Sequence, residues 1–209
     1  MERRGLVAVL AALPALVLAV AGLFHPHSLT AESADTWFLL HLVALFVFPL
    51  VGLGLVTPLI GRRDAVSWVV RLGAFGYATA YTALDVISGI AAGYVTGRLP
   101  EGTPRPEEVW LLFRIGTPLG EVGSWSLLVA TGLLVLDGVR RTGARAVVLL
   151  VLPVGAWLVH VDHIFSPVGV LGMGLVGVGT GLAVWWSDGP RQLAGAMRQP
   201  IRGDARHSG

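Results

Sequence analysis

Long apolar runs separated by short polar gaps repeat along the whole chain, and their length decides what they are. About 20 apolar residues rising ~1.5 Å each cross the ~30 Å hydrocarbon layer of a bilayer. Gly5 to Phe24, Trp37 to Ile60, Val66 to Val95, Val109 to Leu136, Ala146 to Phe165 and Val168 to Trp186 are runs of about that length or more. The pattern predicts an all-α polytopic membrane protein, with six transmembrane helices in one bundle over residues 1–186. The remainder, 187–209, reads as a polar tail with too little apolar surface to fold. A basic start and small residues at Ala19 and Ala21 also resemble a signal peptide. The first run is long for that role, and keeping it as a span makes the charge pattern consistent.

That pattern lies in the gaps. Arg3 and Arg4, Arg62 and Arg63, Arg140, Arg141 and Arg145, then Arg191, Arg198, Arg202 and Arg206 occupy alternate gaps, whereas only Arg98 and Arg105 fall in the others. The positive-inside rule then places both termini in the cytoplasm and requires an even number of spans. Pro100, Pro104 and Pro106 keep the third and fourth helices from merging. The turn at Ser166 and Pro167 is short enough to make the last two helices antiparallel neighbours. Trp37 and Trp110 fall near outer boundaries and Trp68, Trp185 and Trp186 near inner ones, as aromatic belts do. Gly89 and Gly93, Gly116 and Gly120, and Gly177 and Gly181 repeat at four-residue spacing, which allows close helix approach within one chain, in a homodimer or against another membrane protein.

Composition narrows the class. The chain is 54% hydrophobic and 13% charged, well below the charged share of soluble domains. The net charge of +2 sits in topology-setting loops, so nucleic acid is not an expected partner; the lipid bilayer is, in the plasma (cytoplasmic) membrane. The absence of Cys excludes disulfides, thiolate metal sites and covalently attached c-type haem.

Polar groups inside a bilayer are costly, so their placement carries the functional signal. Tyr77, Tyr81, Asp85 and Ser88, at spacings of four, four and three, share one face of the third helix, and Arg114, Thr117, Glu121 and Ser124, at spacings of three, four and three, share one on the fourth. Asp85 is expected ~15 Å below the outer surface, Glu121 ~20 Å and Arg114 ~9 Å. Arg114 can pair with either acid, so Tyr81, Asp85, Arg114 and Glu121 form an expected polar cavity or proton relay.

Histidines give the second signal. His25, His27, His41, His160 and His163 all map to the outer side. His160 and His163, three apart, suit one face of a helix. Imidazole with carboxylate oxygen suits a divalent transition metal, while facing imidazoles such as His41 and His160 suit non-covalent haem. The expected function is a metal or haem site at the outer leaflet serving transfer or redox. Two alternatives stay open: a small proton-linked permease using Asp85, Arg114 and Glu121, and an accessory or scaffold subunit without chemistry of its own.

Overall fold

The computed structural model describes residues 2–187 and is all-helical apart from its connecting loops, with no strand among those residues. Its elements are α1 (Glu2–Gly22), α2 (Ala34–Val56), α3 (Ala65–Leu84), α4 (Ala92–Thr96), α5 (Glu107–Thr142), α6 (Val151–Asp162) and α7 (Val168–Trp186). A π-helical segment, Asp85–Ala91, joins α3 to α4 without a break, and a 3-10 segment, Gly143–Leu150, carries α5 into α6. The expected polar tail, with Arg191, Arg198, Arg202 and Arg206, lies outside the described residues.

Four helical stretches are long and apolar enough to cross a membrane: Glu2–Gly22, Ala34–Leu59, Glu107–Asp162 and Val168–Trp186. The expected fourth and fifth spans fall within one continuous stretch, and the third carries Arg71 and Asp85 among Tyr, Ser and Thr. Arg71 is stabilised locally. Its guanidinium folds back to donate to the carbonyls of Leu59 (2.8 Å) and Arg62 (2.9 Å), closing the turn where α2 ends.

Close packing comes from small residues. A Cβ on Gly155 would lie 2.6 Å from the Gly172 carbonyl and one on Gly172 2.7 Å from that of Gly155, so α6 and α7 touch backbone to backbone. Gly177 and Gly181 meet Leu16 and Ala12 of α1, Gly116 and Gly120 meet Ser88 and Leu84, and Gly89 and Gly93 meet His41 and Trp37. All three glycine pairs therefore make contacts inside the chain. Without a hydrophobic drive between helices in lipid, such approach is what lets dispersion hold a bundle.

At the end remote from the histidines, Arg62 grips Asp137 of α5 with two N–H groups, one of them 2.9 Å from Oδ1. Arg141 donates to the same carboxylate at 3.1 Å. Asp64 caps α3 by accepting from the Ser67 amide at 3.0 Å and also binds Arg62. Burial works against a charged Asp137, but the hydrogen bonds from Arg62 and Arg141 outweigh it and hold its carboxyl below the ordinary 3.8. A carboxyl depressed by folding adds stability that is complete above its unfolded value and is lost as pH falls through the folded one. The melting temperature should therefore fall as pH drops below about 4, and Asp137→Asn should flatten that slope at a cost of ~1–3 kcal/mol at neutral pH. Equal acid slopes in the two proteins would refute the clamp's role.

Candidate functional site

Three of the five outer histidines come together. His25 follows the end of α1, His41 lies in the second turn of α2 and His163 follows the last residue of α6. The ring centroid of His25 is 5.0 Å from that of His41 and 6.4 Å from that of His163. His163 stacks on Tyr81 of α3 at 5.4 Å, and Phe165 and Trp37 each stand 4.7 Å from His25.

Hydrogen bonds orient two of these rings. His41 Nδ1 is 2.7 Å from the Trp37 carbonyl, and His25 Nδ1 is 2.8 Å from the Pro26 carbonyl. A carbonyl only accepts, so each Nδ1 carries the proton and each Nε2 presents a lone pair. The two Nε2 atoms face one another 3.4 Å apart. Burial also holds His25 below the ordinary imidazole value, which keeps the ring neutral at pH 7.

The other two histidines are elsewhere. His27 is exposed and stacks on Phe165. His160 Nδ1 lies 2.8 Å from Ser124 Oγ, and its ring packs between Trp125 and Trp157. The expectation that His160 and His163 share a face fails for a local reason. The α-helix stops at Asp162, and His163 takes a left-handed φ of 49°, unusual for a side chain with a Cβ, which turns its ring toward His25. The five rings are thus not one ligand set. Among the described residues, no three His, Asp or Glu side chains surround a single point closely enough to hold an ion as they stand.

The polar stripe on α3 holds, but the one on α5 divides. Tyr77, Tyr81, Asp85 and Ser88 are all buried. On α5 only Ser124 is buried; Arg114, Thr117 and Glu121 are exposed. The inward face of α5 is taken by Gly116, Gly120 and Gly123, which sit against Ser88, Leu84 and Tyr81. Arg114 and Glu121 lie to one side of that glycine row. The expected pairing of Arg114 with an acid is therefore corrected: the described ion pairs all belong to the Arg62, Asp64, Asp137 and Arg141 group.

Two spaces adjoin the imidazoles. The larger, about 350 Å³, runs from His25, His41 and His163 past Phe113 to Thr117, Glu121, Ser124 and His160. The smaller, about 20 Å³, lies beneath the rings and is lined by His25, His41, His163 and Asp85 together with apolar side chains.

Sequence reading assigned Trp37 to the lipid boundary, but it is 5% exposed and donates from Nε1 to the Ser88 carbonyl at 3.1 Å. That carbonyl belongs to the π-helical segment, where the regular ladder of α-helical hydrogen bonds is interrupted. Gly89 of the same segment is a site residue through what it lacks, since a Cβ there would overlap the His41 ring. The sequence signal for it was the four-residue spacing to Gly93, which speaks of packing alone.

Comparison of the chain with protein-family models, curated proteins and solved structures finds no match.

Proposed function

We propose that this chain is a six-pass protein of the plasma membrane, with both termini cytoplasmic, that binds a divalent transition-metal ion at its outer side. His25 and His41 are the primary ligands, and His163 is the third imidazole of the site. The observation that carries this reading is the 3.4 Å approach of two Nε2 atoms whose Nδ1 protons are committed to backbone carbonyls.

Two lone pairs aimed at each other repel unless a cation lies between them. A shared proton would make an N–H···N bond longer than the usual ~2.7–3.2 Å. A tetrahedral ion with Zn–N bonds of ~2.0–2.1 Å instead sets neighbouring ligand atoms about 3.3–3.4 Å apart. The carbonyls on Nδ1 are the outer-shell partners that fix tautomer and ring direction in metal sites. Haem suits this geometry less well. Two axial imidazoles stand on opposite faces of a macrocycle, whereas His25 and His41 are in edge contact.

The larger cavity gives the ion a route, since it joins the imidazoles to the exposed Thr117 and Glu121. Its polar lining also suits a protein that hands an ion on rather than storing it. Metal analysis with an absorption spectrum on detergent-purified protein tests the reading. The expected result is about one equivalent of Zn²⁺ or a similar ion and no Soret band. A Soret band, or failure to retain or take up any transition ion, would overturn it.

A further inference from the structure

Asp85 is 2% exposed, and neither of its carboxyl oxygens has a hydrogen-bond partner among the described residues. A buried charge without a partner is among the most costly arrangements a protein can hold, more so within a membrane. The remedy expected from sequence, Arg114, is exposed on α5.

The surroundings of Asp85 point to what completes it. The space it shares with His25, His41 and His163 measures about 20 Å³. That admits one water-sized species and nothing larger, since a single water occupies ~10–15 Å³ on such a measure. Its other lining side chains, such as Leu18, Ala44, Phe48 and Ile164, supply no donor. His25 and His41 turn lone-pair nitrogens toward one another at its upper wall. Asp85 therefore shares the chamber with imidazole nitrogens that offer electron pairs, and a cation held among them satisfies both.

Local structure puts Asp85 there. It opens the seven-residue π-helical segment Asp85–Ala91, whose wider turn changes the direction of the side chains that follow. The same segment supplies Gly89, which gives His41 room, and the Ser88 carbonyl, which anchors Trp37. Ligand positions on α2 and α3 are thus coupled through one irregular turn.

We infer that Asp85 is the anionic member of the ion site, a carboxylate that an arriving divalent cation draws in together with His25, His41 and His163, groups that do not surround one point beforehand, and that offsets its charge. This rests on the metal-binding reading above and adds to it a donor set of three nitrogens and one carboxylate. That set suits Zn²⁺, Co²⁺, Fe²⁺ or Mn²⁺ and disfavours Cu⁺, which prefers sulfur.

Co²⁺ is the probe of choice, because its visible absorption reports on its ligands. The full chain in detergent should take up about one equivalent, with Zn²⁺ displacing it. Asp85→Asn should weaken Co²⁺ binding ~30-fold or more and change the visible band, and Asp85→Glu should restore part of both. Metal-free Asp85→Asn should melt at or above the wild-type temperature, because it removes an unsatisfied buried carboxyl, yet gain less on adding Co²⁺. Wild-type protein that binds no Co²⁺ would overturn the ion reading itself. Wild-type binding with an unchanged affinity and spectrum in Asp85→Asn would overturn only the role of Asp85. A metal-free Asp85→Asn protein that fails to fold, or melts well below wild type, would make Asp85 structural and overturn it equally.

Discussion

Replacing His25 and His41 together with alanine should abolish stoichiometric binding of Zn²⁺ or Co²⁺ by the purified protein. Loss of a mere outer-shell partner costs ~10–100-fold in affinity, and loss of two ligands should exceed that range. Each single replacement should leave a weaker site, because the remaining ring keeps its tautomer through its own carbonyl, Pro26 for His25 and Trp37 for His41. His27→Ala and His160→Ala supply the comparison. Both residues belong to the same outer set in sequence, yet His27 stacks on Phe165 and His160 is tied to Ser124. Both variants should bind as wild type does. Equilibrium dialysis with a metal-sensitive dye measures the five variants and the wild type under one condition. If His160→Ala lost as much affinity as His41→Ala, the ligand assignment would be wrong.

The contrast between His160 and His163 shows where sequence periodicity stops being informative. Apolar run lengths gave the all-helical class and the long apolar stretches, although four stretches rather than six are long and apolar enough to cross a membrane among the described residues. The stripe of Tyr77, Tyr81, Asp85 and Ser88 was equally legible, since α3 keeps regular geometry up to Leu84 and the face persists into the next turn. A spacing rule assumes that the helix continues, and at His163 it does not. The stripe on α5 failed differently. Arg114, Thr117 and Glu121 obey the period, but the glycines at 116, 120 and 123 obey it too, and close packing selects the face that can approach a neighbour most nearly. Charge marks a face as special; glycine decided which face turned inward. The π-helical segment left no trace in hydropathy, so the proximity of Asp85 to the imidazoles required coordinates.

Gly89→Ala is the variant that separates chamber geometry from general helix stability. Alanine is ordinarily the better helix former by ~0.5–1 kcal/mol, so a substitution judged by propensity alone should stabilise the protein. Here the added methyl would overlap the ring and Cβ of His41, which lies on a different helix and cannot retreat without giving up its bond to Trp37. Overpacking of this kind costs ~1–3 kcal/mol, enough to reverse the propensity gain. Gly174→Ala is the internal standard, since a Cβ there meets nothing within 4 Å. Its melting temperature should equal or exceed that of wild type, with ion binding untouched. Gly89→Ala should melt lower and lose affinity for Co²⁺ as well, because the displaced ring carries Nε2 away from its partner on His25. A Gly89→Ala protein as stable as Gly174→Ala and as tight for the ion would mean that the turn beside Asp85 has slack, and that the close approach of the two imidazoles is not enforced by packing.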